Sequence, residues 1–508
     1  MTYNIFNKSN KAATWKSKAR SYTFMAVALL SGSLFTLSSC SEWLDVKPLT
    51  EEREKDLFTT YQGFKDALSG CYSDLAGANL YGERLTMADI ENLACLWAEP
   101  DQTGLPAQYY LWHHQYDNTY SEAALKSIYG GLYNVVAQAN KIIEHVGTDG
   151  SAIKSTDARN VIEGEAYALR AFCQMDVLRL FGQMPQGAVK QVSLPYALKA
   201  GINDIAAYYS YSDYVKLLEQ DLDHAEQLLA QSDNDALEDD DFFQYRQFRL
   251  NYQAVRALKA RLYLYTGQTE KAHQLAMDII ENSGKSLSGL TDIPNGYYTL
   301  PGETLFGLSN RSLADYAHSL LGGDNSIQVD RSSMLYVDEM SLDWMIYWGV
   351  NTASDNRYLY TWNHNTVDAM GNRYPTLRKY YYDTNAYSSA SDLSTLLTKI
   401  QVMPIIRLSE IYLIAMETTT DLNEANQLWK TYMASHNVNV TDDFYSLGEV
   451  QYNIVDEYRR EFFGEGVMFY VYKRLGTSDM MFSPSAMTEN EYVLPVPTTE
   501  YDAETTNP

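Results

Sequence analysis

Basic residues are few in this 508-residue chain: 39 Lys and Arg stand against 65 Asp and Glu, a formal charge of −26. A surface of that sign repels phosphate backbones and anionic headgroups, which excludes nucleic acid as a partner; the plain meaning of the surplus is solubility. Cysteine is scarce and unpatterned. Cys40, Cys71, Cys95 and Cys173 occur without CxxC or zinc-type spacing, so a disulfide framework is excluded. The last three lie in apolar contexts and read as buried thiols, with a single bridge among them left open. HExxH, G-x-S-x-G, a P-loop and a Rossmann glycine motif are all missing. The eight His are scattered, and the one adjacent pair, His113-His114, points apart, so neither a metal site nor a cofactor is expected. The acidic stretch Asn234–Asp241 lacks the ligand alternation and central Gly of an EF-hand and reads as a solvated loop. No Pro/Gly/Ser-rich linker divides the chain, which predicts one large body with insertions.

Long apolar runs are also missing after the N-terminus. Residues 1–39 contain a basic start (Lys8, Lys11, Lys16, Lys18, Arg20), an apolar run near Tyr22–Leu37 and then small residues, the three parts of a bacterial export signal. Leu37-Ser38-Ser39-Cys40 resembles the lipobox, where the signal is cut before a cysteine that then carries lipid. The run falls short of the roughly 20 residues that span a bilayer and is broken by Ser31-Gly32-Ser33, which favours cleavage over spanning. Cleavage removes five of the 39 basic residues and no acidic ones, leaving 34 against 65. The expectation is a chain tethered to a membrane by lipid on Cys40.

Apolar residues recur at helical spacing through most of the body, in pairs: Ala123–Val146 with Ala158–Phe181, and Tyr211–Gln231 with Phe248–Thr266. Leu262 to Ala272, with Thr266-Gly267-Gln268 at its centre, reads as a helix end, a Gly turn and a helix start, and resembles the tetratricopeptide (TPR) join; Ile411 to Ala425 repeats it with a longer turn. Small residues such as Ala272 and Ala425 let paired helices approach closely, and each pair buries its open face on the next. The predicted fold is mostly α: about four TPR-like helix pairs, within 123–282 and 404–466, forming a superhelical scaffold. Between them, 283–403 breaks into Gly, Pro, Ser, Asn and aromatic residues and reads as a large irregular, loop-rich insertion.

Aromatic residues make up 13% of the chain, 42 of them Tyr, more than a helical core requires. Rings in helices pack; rings in loop-like stretches are free to stack on sugars or peptides. Two such clusters stand out, Trp97 with Tyr109, Tyr110, Trp112 and Tyr116, and Trp344, Tyr347 and Trp348 with Tyr358, Tyr360 and Trp362. Among the polar neighbours suited to bidentate contacts are Asp101 and Arg357. The candidate ligand contacts are therefore Trp97, Tyr109, Trp112, Trp344, Trp348, Trp362, Asp101 and Arg357. Carboxylate pairs for glycoside hydrolysis, Glu163/Glu165 and Glu457/Glu461, stand beside Arg170, Arg459 and Arg460 and read as ion pairs, so no catalytic residue is expected.

Four segments carry a wider likeness: Trp43-Leu44-Asp45-Val46-Lys47-Pro48 running on to Ala67-Leu68-Ser69-Gly70-Cys71-Tyr72; Leu169-Arg170-Ala171-Phe172 followed by Arg179-Leu180-Phe181-Gly182-Gln183-Met184-Pro185; Ile406-Arg407-Leu408-Ser409-Glu410-Ile411-Tyr412-Leu413; and Glu457-Tyr458-Arg459-Arg460-Glu461-Phe462-Phe463-Gly464 with Lys473-Arg474-Leu475-Gly476. In this order they resemble the SusD/RagB family of outer-membrane nutrient-binding lipoproteins. Val467-Met468-Phe469-Tyr470 stands where that family commonly has a polar continuation, and Leu494-Pro495-Val496-Pro497 lacks its usual downstream Asn-Pro-Gly-Tyr. The resemblance implies four TPR-like pairs supporting an irregular ligand-bearing part, a cell-surface location on the outer membrane, and a SusC-like TonB-dependent transporter to which oligosaccharide or peptide is delivered. Rival readings are a surface lipoprotein hydrolase of polysaccharide or peptide, and a TPR adaptor that binds only protein.

Overall fold

The computed structural model describes Glu54 and residues 56–201, 204–232, 240–322, 328–382 and 395–497. The expected export signal 1–39, Cys40 and most of the Asn234–Asp241 stretch lie outside the described residues. Helix α1 (Tyr61–Leu75) starts where the Thr60 hydroxyl accepts the Gly63 N–H, and a short α2 (Pro106–Trp112) follows. Two long helices come next, α3 (Thr119–Asp149), capped by Asn118, and α4 (Thr156–Phe181), capped by Ser155. They lead to α5 (Tyr211–Ser232), α6 (Tyr252–Tyr265) and α7 (Thr269–Asn282). After a long excursion the chain returns in α8 (Leu408–Thr418), α9 (Leu422–Ser435), α10 (Leu447–Glu461) and α11 (Met468–Leu475). Side-chain oxygens take up orphan N–H groups at most of these starts, including Asn251, Asp421 and Ser446.

Packing follows chain order. Helix α3 lies on α4, α5 on α6, α7 on α8 and α9 on α10, and each pair also packs on the next, giving the mostly α, TPR-like stack that the periodicity predicts. The turn between α6 and α7 is Thr266-Gly267-Gln268, with Gly267 at φ +76, a left-handed conformation that glycine adopts without strain. Helix α6 begins at Tyr252 rather than near Phe248, because Arg246–Phe248 is a separate 3-10 turn and Asn251 caps the helix proper.

Helix α4 is the axis. Buried residues occur on every face of it, including Ala166, Ala168, Ala171 and Phe172, as expected of a helix enclosed on all sides. Charged residues buried in its middle have partners: Arg170 clasps Asp221 of α5 through two bonds of 2.7 and 2.5 Å and donates to Asn140 of α3 at 2.9 Å. Cys71, Cys95 and Cys173 are buried free thiols, so no bridge forms among them.

The excursion 283–403 leaves and re-enters the stack through one antiparallel ladder, Thr304–Ser309 against Val402–Arg407, and the second strand runs directly into α8. Since α7 and α8 pack on each other, this stretch is inserted between two neighbours of the scaffold. It contains a helix Leu313–Leu321, π-helical turns at Leu342–Ile346, Arg357–Thr361 and Leu396–Ile400, and a short ladder pairing Trp362–Asn363 with Thr376–Leu377.

A buried ionic network ties the insertion to the scaffold. Arg357 is clamped by Asp355, by Glu457 and, at 2.9 Å, by Glu461 of α10. Glu461 also accepts Arg407 at 2.6 Å and the Tyr432 hydroxyl at 3.0 Å. Arg407 continues to Glu465 at 2.9 and 3.0 Å, and Lys379 reaches the same carboxylate at 2.5 Å. Burial opposes the charge on Glu461, yet the surrounding cations hold its carboxyl well below the usual range. Breaking a buried pair leaves an uncompensated charge and costs about 3–5 kcal/mol. Glu461→Ala is accordingly expected to lower unfolding free energy by several kcal/mol, read as a fall in the urea midpoint.

Glu91 behaves in the opposite sense. Burial pushes its carboxyl from 4.5 up to about 8, although the Gly466 N–H donates to it at 2.6 Å. The folded chain therefore retains a proton that the unfolded chain releases, so this stabilisation is complete below pH 4.5 and is lost as pH rises to about 8. Glu91→Gln is expected to gain stability relative to the parent between those limits, measured by urea unfolding at both.

Candidate functional site

The structure separates the eight candidates into two groups. Trp97, Trp112 and Trp362 are buried, and their indole N–H groups are satisfied internally, by the Met87 carbonyl at 2.9 Å, the Trp97 carbonyl at 3.2 Å and the Tyr347 hydroxyl at 3.3 Å. Phe463, in the loop after α10, stands edge-on to both Trp97 (centroids 4.8 Å apart, 84°) and Trp362 (5.0 Å, 72°). Their faces are covered by protein and offer no stacking surface. Arg357 is likewise spent, since each of its guanidinium nitrogens already donates within the ionic network. These four side chains build the core instead of lining a site.

Asp101 and Tyr109 are brought together in an open groove of about 610 Å³, within the ~300–1,000 Å³ range of small-molecule sites. One wall is the turn that leads into α2. Asp101 accepts the Thr103 and Gly104 N–H groups at 2.9 Å each and the Thr103 hydroxyl at 2.5 Å. The other wall comes from the insertion: Arg331, Tyr336 and Asp368 with Met370. The walls meet closely, for the Ala98 N–H donates to the Tyr336 carbonyl at 2.9 Å and a β-carbon on Gly104 would lie 1.6 Å from the Ser332 carbonyl oxygen.

Three carboxylates of the groove tie their own turns. Asp330 accepts from Ser332 and Ser333, and Asp368 from the Met370 and Asn372 backbone and the Asn372 amide. Hydrogen bonds from Thr103 and Gly104 hold Asp101 below its ordinary value, and those from Ser332 and Ser333 do the same for Asp330; at Asp368 burial pushes upward but the Asn372 bonds prevail. The result is a rigid rim of acceptors between two phenol rings, with Arg331 as the cation, its guanidinium 5.2 Å from the Tyr374 ring centre. Such a surface hydrogen-bonds hydroxyls and presents ring faces to apolar sugar edges.

Trp344 and Trp348 lie elsewhere on the insertion. Both are 65% exposed, with ring centres 6.0 Å apart and planes inclined by 40°. Leu342 and Ile346, which alternate with them, are buried, so the turn offers its indoles outward. Met340 and Met345 extend this exposed apolar patch.

Reasoning from sequence missed Arg331, Tyr336, Asp330 and Asp368. The available signal was turn chemistry, Asp330-Arg331-Ser332-Ser333 and Asp368-Ala369-Met370-Gly371-Asn372, which marks two tight turns without showing that they face Tyr109. The carboxylate pairs are ion-paired, but not throughout with the expected partners: Glu165 binds Arg249 at 2.9 Å and also Arg246, while Arg170 goes to Asp221; Glu457 does take Arg460, at 2.9 Å. Trp97→Ala and Trp362→Ala are expected to cost about 3–5 kcal/mol, whereas Trp344→Ala and Trp348→Ala should stay within about 0.5 kcal/mol; denaturant melts of the four variants distinguish packing rings from presented ones.

Among the described residues, no helix is long and apolar enough to cross a membrane. The family model SusD-like, described as starch-binding associating with outer membrane, matches residues 42–264. A curated relative, SusD-like protein P2 of Formosa agariphila, is 22% identical, with 91% of this chain and 94% of its own length aligned. A SusD superfamily protein from Bacteroides thetaiotaomicron superposes with a TM-score of 0.66 at 21% identity, covering 88% of this chain and 98% of that one. Surface glycan-binding protein A from Bacteroides fluxus gives 0.64 at 18% identity, with 88% and 97% covered. A family model over the N-terminal part, a relative aligned along nearly the whole of both chains, and the same helical fold together support a SusD-like family protein.

Proposed function

We propose that this protein is a non-catalytic, surface-exposed lipoprotein of an outer membrane that binds oligosaccharide and delivers it to a SusC-like TonB-dependent transporter. Residues 1–39 are the export signal, Cys40 carries the lipid, and the body 40–508 presents the ligand-bearing insertion 283–403. The observation that carries the reading is the groove between Tyr109 and Tyr336, where acceptors and a guanidinium are fixed by local turns between phenol rings. The exposed Trp344–Trp348 pair adds a stacking platform that core packing does not explain. Sugar is favoured over peptide by the family, described as starch-binding, and by the similar Bacteroides fluxus protein, a surface glycan-binding protein.

The electrostatics support binding without turnover. A glycosidase keeps one carboxylic acid protonated beside the scissile bond. Asp101, Asp330 and Asp368 are all shifted the other way, toward the ionised form. Of the carboxyls that burial pushes up, Glu91 to about 8, Glu303 to about 7 and Asp89 are buried in the body, and the half-buried Glu83 lies outside the groove lining.

Calorimetric titration of the mature chain with soluble starch, laminarin and a peptide digest tests the reading. Binding of a glycan is expected, weakened about tenfold, or about 1.4 kcal/mol, by Tyr109→Ala and by Trp344→Ala, with melting temperature unchanged in the latter. Glycan turnover abolished by a carboxylate substitution would establish the hydrolase instead. Extraction in mild detergent should co-purify a barrel partner, and its consistent absence would remove the delivery step.

A further inference from the structure

A second concavity, of about 550 Å³, lies between α1, the stretch 242–249 that leads into α6, and the residues after the Thr304–Ser309 strand. Its lining differs in sign from that of the groove. The groove has four carboxylates, Glu99, Asp101, Asp330 and Asp368, against the one guanidinium of Arg331. The charged side chains lining the second cavity are Arg249 and Arg311, and the carboxylate nearest to them, Glu165, is bonded to Arg249 from outside the lining. In a chain of net charge −26 this is a local reversal.

Arg249 is 8% exposed and incompletely used. Its Nε donates to Glu165 at 2.9 Å and its Nη1 to the Phe242 carbonyl at 3.3 Å, while Nη2 is buried with no hydrogen-bond partner. A buried donor left unmade is costly, and with Nε and Nη1 engaged the Nη2 of Arg249 is the one nitrogen left to meet an oxyanion. Arg311, exposed at the rim, forms no ion pair among the described residues. Asp240, next to this region, is occupied by the Tyr61 hydroxyl at 2.7 Å and by Lys65 at 3.3 Å. Around the arginines stand ring faces. Phe242 lies 3.9 Å from the Arg249 guanidinium, and Tyr245, 52% exposed, is held in the left-handed backbone region at φ 57. Such a conformation is strained for a side chain of this size and turns an aromatic ring out to the rim.

We propose that this cavity is a second ligand site, for a saccharide bearing an oxyanion, a uronate or a sulfate ester, whose acid group pairs with Arg249 and Arg311 while its ring rests against Tyr245. A lone inorganic anion would leave the rings and much of the volume unused, and a neutral sugar would leave Nη2 of Arg249 without its natural partner.

Titration of the mature chain with trigalacturonate, a sulfated disaccharide and maltotriose tests it. One or both anionic probes should bind, and their relative affinity assigns carboxylate or sulfate. Arg311→Ala and Tyr245→Ala, both exposed positions, should weaken that binding at least tenfold with unchanged melting temperature, and Arg249→Lys should weaken it while preserving the contact with Glu165. Tyr109→Ala and Trp344→Ala should leave it unchanged, so that failure of the groove and failure of this cavity are read separately. The proposal is overturned if neither anionic probe binds, if Arg311→Ala and Tyr245→Ala leave their binding intact, or if maltotriose binds in a way those two substitutions abolish equally.

Discussion

Glu461 is where the two halves of this architecture are fastened. Its carboxylate accepts from Arg357 of the insertion and from Arg407 at the end of the strand that closes it. Charges taken this far from water are tolerated only with near-complete compensation, and here the compensation runs across elements: Asp355 and Glu457 for Arg357, Glu465 for Arg407 and Lys379. No member can shift without stripping another of its partner. The insertion is therefore held in one register against α10, despite having little regular secondary structure of its own.

That register is what makes the groove. Its near wall, Asp101 and Tyr109, belongs to the N-terminal part of the chain; its far wall, Arg331, Tyr336 and Asp368, belongs to the insertion. Phe463, two residues beyond Glu461, reaches both sides by meeting Trp97 and Trp362 edge-on, and Glu91 accepts the Gly466 N–H in the same loop. Ionic and aromatic contacts thus converge on one short loop after α10. A ligand that meets walls fixed in advance pays less ordering entropy on binding.

The helical scaffold was legible because helix periodicity is local: the apolar spacing of α3 to α6 and the Gly267 turn can be read within a window of a few turns. Burial of individual rings outside the helical pairs was not. Trp97 and Trp362 stand in stretches whose Gly, Pro and Asn content resembles exposed loop, and what covers them is Phe463, some hundred residues or more along the chain from either. Arg357 was misread for the same reason, since Glu457 and Glu461 lie 100 and 104 residues away from it. Trp344 and Trp348, four residues apart, share an exposed face opposite the buried Leu342 and Ile346, a spacing that can be read locally. Asp101 and Tyr109 were picked for their types, but the wall opposite them required a three-dimensional meeting of two turns.

Charge distinguishes the two concavities. The surplus of acidic residues sets a field that holds off anions at distance, yet in salt near 0.15 M such fields decay over about 8 Å, so they govern approach more than contact. A guanidinium such as Arg249, held in low dielectric against Phe242 and Glu165, acts at hydrogen-bond range and is little screened. An acidic rim of turn-bound carboxylates suits polyhydroxyl ligands, because neutral hydroxyls donate to it without a competing charge, and it rejects acidic sugars by repulsion. The arginine-lined cavity has the reverse preference. Under the two proposals, selection between neutral and acidic sugars follows from the sign of the fixed groups in each cavity, while both draw on the same resource, aromatic rings that the helical core leaves facing outward.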